Sequence, residues 1–440
     1  MKRKEVIFLT EWKSKKERKP LIISGARQVG KTWLLKEFAR LEFKNYAYLN
    51  FESDESLKTI FEGGFDLPRI LSAIEIITSI KIEPGVTLLV FDEIQEAPKA
   101  LLALKYFYEQ LPQLHIVCAG SLLGIALGKK TSFPVGKVEF LHLYPLNFPE
   151  YLEAIGQGVL KEALANQDWT LLQTFNKKLI ALLREYYYIG GMPEVVASFI
   201  SNHDFTIART IQKNILRTYE LDFSKHASSS IVPRIRMLWN SIPGQLSKEN
   251  KKFLYKAVKP GARSKDYELA LYWLIDAGLV YRIHNLTAVR LPLKAYEDIT
   301  SFKLFILDLG LLGAMVDLDV KILLDEHQIL KEYKGSLTEQ YVMQQLKSQR
   351  QSECYYYSPS NQQSEIDFVF ECNSSIWPLE AKAEENLQAK SLKIFYDLYH
   401  PITAFRTSMS GYRAQDWLTN IPLYAINEIF AIAQNKVTTK

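Results

Sequence analysis

Along the first 150 residues, apolar positions fall into two alternating rhythms. Segments 21–24, 46–51, 87–92, 115–119 and 138–143 read as strands, and segments 32–41, 67–80 and 99–111 repeat apolar side chains at helical spacing. Trp33, Leu34, Leu35, Phe38 and Leu41 mark the first of those helices. Val86, Leu88, Leu89, Val90 and Phe91 form a near-continuous apolar run, as in a central parallel strand covered on both faces. Strand alternating with helix predicts an α/β fold built on a parallel sheet.

The rhythm then changes twice. From about residue 148 to 219 it is helical and rich in Leu and Ala, interrupted by "YYYIGGMPEVV" at 186–196. Gly190 and Gly191 before Pro193 make a strong break there. From about residue 230, segments 231–245, 248–258 and 264–277 look like three helices, followed by strand-like "GLVYRIHNL" and "FKLFILD". Three helices and then a hairpin predict a winged helix-turn-helix. The third helix, capped by Ser264, would turn Tyr267, Ala270, Leu271, Leu274 and Ile275 inward. Its outward positions hold Asp266, Glu268 and Asp276 against Lys265 alone, and acids on a groove-facing helix would repel phosphate. The basic stretch "KENKKFLYKAVKPGARSK" beside it can still touch a nucleic-acid backbone. The chain has no fixed-period repeat and no low-complexity tract.

Composition narrows the class. At 440 residues the chain has room for about two to four domains and a sizeable core. Its 48% hydrophobic and 23% charged residues suit a soluble globular protein, and a net charge of +5 does not by itself imply nucleic acid. Cys118, Cys354 and Cys372 lack metal-like spacing and suit a reducing cytosol without disulfides. The start, "MKRKEVIFLTEW", is basic but too poor in apolar residues for a signal peptide. No apolar run approaches the roughly 18 residues of a membrane helix. A cytoplasmic protein with no membrane partner is expected.

The candidate chemistry begins at "LIISGARQVGKTWLL", residues 21–35. The pattern GxxxxGK[ST] is matched at Gly25, Gly30, Lys31 and Thr32, between a strand and a helix, the context of a phosphate-binding P-loop. Its glycines let the backbone N–H groups of Gly25, Ala26, Arg27, Gln28, Val29 and Gly30 approach phosphate oxygens. Lys31 would reach the β- and γ-phosphates of ATP and the Thr32 hydroxyl would ligate Mg²⁺, with the partial positive charge of the helix N-terminus behind them. Downstream, "VTLLVFDEIQE" at 86–96 ends in two acids. Asp92 lies at the carboxyl end of its strand, where open α/β sheets place ligands, and is suited to hold Mg²⁺ directly or through water. Glu93 is suited to polarise the attacking water. In "LHIVCAGSLLGIAL" at 114–127, the Ser121 hydroxyl can sense the γ-phosphate, cap a short helix over 122–127, or do both. The Gly190–Gly191 break is then either a hinge between helices or a contact near the nucleotide.

A second constellation lies in the last 110 residues. "GSLTEQYVMQQL" puts Glu339 on a helix with Leu337, Tyr341 and Leu346 as core. "SEIDFVFE" at 364–371 alternates Ile366, Phe368 and Phe370 against Asp367, Val369 and Glu371, which is strand periodicity. "WPLEAKAEE" sets Glu380 and Lys382 two apart, so that on a strand they share a face. Joined by Asp367 and Glu339, they would bind Mg²⁺ and activate a water against a phosphodiester. The alternative is a solvated face of acids and a lysine.

Taken together, residues 25–32 and 88–93, Ser121, "LYPLNFPEYL" at 143–152, "YIGGMPE" at 188–194 and the C-terminal "EIDF" and "LEAK" resemble a family of prokaryotic AAA+-type ATPases. The resemblance covers nearly the whole chain. Members join a P-loop ATPase domain to a C-terminal region of unassigned function with a winged helix and a PD-(D/E)XK-nuclease-like fold. The resemblance implies phosphate and Mg²⁺ binding at Lys31 and Thr32, metal and water roles for Asp92 and Glu93, and a sensor position at Ser121. It matches Asp367, Glu380 and Lys382 to the nuclease motif, with Glu339 on the preceding helix. It implies a P-loop ATPase core over 1–150, a helical lid or linker over 151–228, a winged-helix-like domain over 229–325 and a nuclease-like domain over 326–440. One departure stands out. Where such ATPases usually present an arginine finger, the segment "SFPVGKVEF" offers Lys137, and a lysine cannot form the bidentate fork. The oligomeric state stays open. Two functions follow: an ATP-driven machine that grips or cuts DNA or RNA, or an ATP-dependent switch acting through a protein partner.

Overall fold

The computed structural model describes residues 1–121, 133–248, 252–321, 331–349, 351–359, 364–383 and 389–438, except the side chains of 331–334. The expected helix over 122–127 lies outside the described residues. By its contacts the chain divides into two compact units, Met1–Tyr144 with Asp276–Leu279, and Pro145–Ile275 with Val280–Lys440.

In the first unit, strands β1 (Leu21–Ser24), β2 (Asn45–Asn50), β3 (Thr87–Asp92), β4 (His115–Ala119) and β5 (Glu139–His142) form one sheet in the order β2-β3-β4-β1-β5. Every pairing is parallel. Parallel neighbours need long crossovers, which here include the helices Lys31–Glu42, Leu67–Thr78 and Pro98–Gln110. The strands and helices expected from periodicity are all present, with ends displaced by a residue or two. β3 and β4 are buried along their whole length, as their apolar runs required. Leu49, Leu89, Phe91 and Ile116 pack there with Ile70, Ile74, Leu104 and Phe107, and each fully buried Leu, Ile or Phe contributes roughly 1.5–3 kcal/mol. The first helix buries a narrower stripe than its spacing suggested. Leu34, Leu35, Phe38 and Ala39 face the core, while Trp33 and Leu41 are exposed.

The second unit is built on a mixed sheet. Its strands are β6 (Val280–Leu286), β7 (Glu297–Ile306), β8 (Cys354–Tyr357), β9 (Ile366–Cys372), β10 (Ser375–Ala381), β11 (Ala404–Ser408), β12 (Arg413–Ala414) and β13 (Leu418–Pro422). They run in the order β12-β13-β11-β10-β9-β8-β6-β7. The expected helices before the hairpin are Val232–Leu246 and Ser264–Asp276; between them, only Tyr255–Val258 is helical among the described residues. β6 and β7 form the expected antiparallel hairpin. It is not a separate wing, because β6 also pairs in parallel with β8, Asn285 opposite Tyr356. One sheet therefore contains strands from both sides of position 325.

The glycine break is a point of close packing. Gly191 donates its N–H to Asp308 Oδ2 at 2.6 Å and accepts the Leu146 N–H at 2.7 Å. Tyr186 donates to the Leu146 carbonyl at 2.5 Å, and its hydroxyl accepts from Gln344 and Gln345 of the helix Lys331–Gln349. Asp308 is fully buried and also accepts from the Leu311 N–H and Gln344 Nε2, both at 3.1 Å. Burial pushes its carboxyl pKa up to about 6, against the pull of those hydrogen bonds. No described helix is long and apolar enough to cross a membrane.

Candidate functional site

The site of the first unit is assembled by the loop between β1 and the helix Lys31–Glu42. Gly25, Gln28 and Gly30 hold φ at 142°, 66° and 96°, which turns the loop back on itself. A Cβ on Gly25 would lie 2.3 Å from the Leu143 carbonyl oxygen, so only glycine fits. The loop wraps Lys31, a residue 6% exposed, whose ammonium donates to the carbonyls of Gly25 and Ala26 at 3.0 and 2.8 Å. Burial draws its pKa down to about 8; the charges of Glu93 and Asp92 pull upward, and Arg27 pulls downward. A buried cation bonded to neutral carbonyls can exchange them for charged phosphate oxygens, which make stronger hydrogen bonds.

The acids converge on the same place. Asp92 Oδ2 accepts from Thr32 Oγ1 and from the Tyr48 hydroxyl, each at 2.7 Å, while its Oδ1 accepts the Glu93 N–H at 3.0 Å. Glu93 sits in the left-handed region at φ 49°, a costly conformation for a residue with a side chain. Its Oε2 accepts from Ser121 Oγ at 3.0 Å and Gln95 Nε2 at 2.7 Å. Ser121 is fully buried. Lys31, Thr32, Asp92, Glu93 and Ser121, all expected from sequence, are thus brought together. Tyr48 and Gln95 were not expected. Burial and the bond to Asp92 raise the Tyr48 pKa, so the phenol stays a donor. The only sequence signal for Tyr48 was its place in β2, which runs beside β3 with Asn50 opposite Asp92. Lys137 is bonded to Glu109 at 3.0 Å.

These residues fit Mg²⁺·ATP. A hydroxyl and a buried carboxylate 2.7 Å apart are hard oxygen donors of the kind Mg²⁺ takes. The glycine loop and buried ammonium suit phosphates.

Residues 17–152 match the family model of an AAA domain. The first unit carries an AAA-type P-loop ATPase domain. Residues 180–321 and 334–427 match two domains of unknown function, DUF8612 and DUF4143. No curated protein matches the chain. Among solved structures, the Walker-type ATPase PABY2304 of Pyrococcus abyssi is 14% identical, with 71% of this chain and 95% of that one covered at a TM-score of 0.47. The Aeropyrum pernix Orc1 protein in complex with DNA is 11% identical, with 71% and 91% covered at 0.27. Cdc6p of Pyrobaculum aerophilum is 13% identical, with 72% and 92% covered at 0.24. For the AAA domain, replacing Lys31 removes the cation inside the loop. In Lys31→Ala, ATP affinity measured by calorimetry should fall tenfold or more, at least about 1.4 kcal/mol. Unchanged affinity in a folded variant would remove the loop from nucleotide binding.

The C-terminal constellation departs from expectation. Glu380 Oε1 and Lys382 Nζ do meet, at 2.5 Å. Asp367 shares their sheet face, since Phe368 pairs with Leu379 and each acid is the adjacent residue along its strand. Its Oδ2 accepts the Ala381 N–H at 2.8 Å. Glu339 instead faces Lys303 of β7, its Oε2 3.6 Å from Nζ, and Lys303 is also hydrogen-bonded to Glu365. Burial alone would lower the Lys303 pKa, but the charges of Glu339, Glu365 and Asp367 overcome it and hold the ammonium above its ordinary value. Among the described residues, no three His, Cys, Asp or Glu side chains are grouped so as to hold a metal ion. A buried lysine, Lys303, stands among the carboxylates of the Mg²⁺ site expected of Glu339, Asp367, Glu380 and Lys382.

Proposed function

We propose that the protein binds and hydrolyses Mg²⁺·ATP in its first unit and grips nucleic acid by its phosphates with its second. The observation that carries the ATPase is the convergence of Lys31, Thr32, Asp92, Glu93 and Ser121 by the hydrogen bonds described above. In this reading the N–H groups of residues 25–30 and Lys31 hold the phosphates, Thr32 and Asp92 hold Mg²⁺, and Glu93 orients and polarises the attacking water. Ser121 fixes the Glu93 carboxylate and registers the γ-phosphate. Residues 151–228 act as a lid or linker, and 229–325 and 326–440, joined through one sheet, act as the winged-helix-like and nuclease-like parts of a single module.

The nucleic-acid half rests on exposed cations. Lys248, Lys256, Lys259, Arg263 and Lys265 all face solvent, and such a stretch can follow a phosphate backbone without reading bases. Binding of a DNA or RNA oligomer, followed by fluorescence anisotropy, should weaken steeply with salt. The double variant Lys256→Ala, Lys259→Ala should flatten the slope of log K against log salt by about 0.9 for each phosphate of duplex DNA that is no longer neutralised. Absence of salt-dependent binding by the full chain would remove this half.

A specific observation favours a second reading, a protein partner. On the helix Ser264–Asp276, Leu269 is 70% and Tyr272 42% exposed, beside the exposed acid Glu268. Apolar and acidic groups suit a protein surface better than a phosphate backbone. Under that reading, cell extract rather than DNA or RNA stimulates ATP turnover, and Leu269→Asp removes the stimulation.

A further inference from the structure

We propose that the carboxylate cluster of the second unit is closed internally by Lys303 and takes no divalent metal ion, so that this unit holds its ligand without metal-dependent phosphodiester cleavage. The inference goes beyond the function proposed above and stands whichever partner the unit engages.

Lys303 comes from the hairpin, outside the segment in which a D…ExK pattern is sought. Its side chain is 1% exposed, in a strand whose residues from Ser301 to Ile306 are all buried. Its ammonium bonds Glu365, stands 3.6 Å from Glu339 Oε2 and lies 4.9 Å from the centre of the Tyr356 ring. The Tyr356 hydroxyl is bonded to Ser301 at 2.8 Å, so ring and strand hold one another in place. Burying an ammonium this deeply is tolerated only where opposite charges surround it. Glu339 and Glu365 are therefore already neutralised from within the chain.

The remaining acids are committed as well. Asp367 accepts the Ala381 N–H, and Glu380 is paired with Lys382. Glu380 Oε2 is buried and, among the described residues, has no hydrogen-bond partner. A lone carboxylate oxygen does not make a site for Mg²⁺, which needs near-octahedral oxygen ligands at about 2.0–2.1 Å. A dication placed among these acids would also face two ammonium groups, Lys303 and Lys382, at ion-pair distance from the same carboxylates. The lysine does what a metal would do for charge balance, and it additionally fastens β7 to the helix Lys331–Gln349 and to the chain entering β9.

Mn²⁺ titration of the nucleotide-free full chain tests this, read by calorimetry on wild type, Asp367→Asn, Lys303→Met and the double variant. Any weak binding beside Thr32 and Asp92 is common to all four proteins, so differences report the cluster alone. Wild type and Asp367→Asn are expected to take up the same number of Mn²⁺ ions. Lys303→Met is expected to gain one, which the added Asp367→Asn change removes. A Mn²⁺ ion bound by wild type and lost in Asp367→Asn overturns the proposal. So does a folded Lys303→Met protein that gains none, or Mn²⁺-dependent nicking of DNA that Asp367→Asn abolishes. If Lys303→Met does not fold, the comparison of wild type with Asp367→Asn decides.

Discussion

Replacing Glu93 with glutamine is expected to leave ATP bound and to cut its turnover by about 100-fold or more. The substitution keeps the shape of the side chain. Ser121 Oγ and Gln95 Nε2, which both donate to Glu93 Oε2, can go on donating to an amide oxygen. The charge that draws a proton from the attacking water is lost, and with it the general-base contribution. Lys31, Thr32 and Asp92 are untouched, so affinity for Mg²⁺·ATP should stay within a few-fold of wild type, whereas Lys31→Ala acts on affinity itself. The two variants therefore separate binding from chemistry. The measurements are phosphate release under saturating ATP and calorimetric affinity. A Glu93→Gln protein that turns over at the wild-type rate would assign the water to another residue.

What the sequence makes legible depends on how far apart the cooperating residues lie. The phosphate loop is contiguous, and its glycines and lysine announce themselves between one strand and one helix. Asp92 and Glu93 are legible because a fully apolar strand has no other reason to end in two acids. Ser121 is legible as the first polar side chain beyond β4. Tyr48 and Gln95 are not. A tyrosine in a half-buried strand is ordinary, and only strand order brings its hydroxyl to Asp92.

The C-terminal region shows the limit more sharply. The spacing of Glu380 and Lys382 correctly predicts that they meet, and the alternation in β9 correctly puts Asp367 on their face. The expectation of a metal left out a residue about 60 positions upstream, Lys303, which meets Glu339 and Glu365. Lys303 did carry a signal: a single charge inside "FKLFIL" must be paired if that strand is buried. Asp308, next to Leu307 and Leu309, carries the same signal. Periodicity reports which face a charge is on, but the partner that neutralises it is set by tertiary pairing. The glycine pair was ambiguous for a related reason. Glycine marks either a backbone angle or a close approach, and Gly191 marks an approach.

Gly191→Ala is accordingly expected to be among the most damaging single-methyl changes in the second unit. The added Cβ would lie 2.0 Å from the Leu146 carbonyl oxygen, 2.9 Å from its nitrogen and 3.0 Å from its carbonyl carbon. All three are backbone atoms, so no rotamer change relieves the clash. Moving either segment breaks a chain of bonds. Gly191 N–H holds Asp308, Leu146 N–H holds the Gly191 carbonyl, and the Leu146 carbonyl accepts Tyr186. The next residue, Asn147, caps the helix Phe148–Ala154 in a reciprocal bond with Glu150, and Phe148 N–H reaches Gln345. Overpacking together with a buried acceptor left short of a donor should cost roughly 3–5 kcal/mol, lowering the melting temperature by on the order of 10 °C. Gly244→Ala is the control. It lies inside the helix Val232–Leu246 with open space where its Cβ would go, so it should be neutral or stabilise by up to about 1 kcal/mol. If Gly191→Ala melts with the Gly244→Ala protein, the break is a hinge with room to spare, and the buried junction around Asp308 does not hold this unit together.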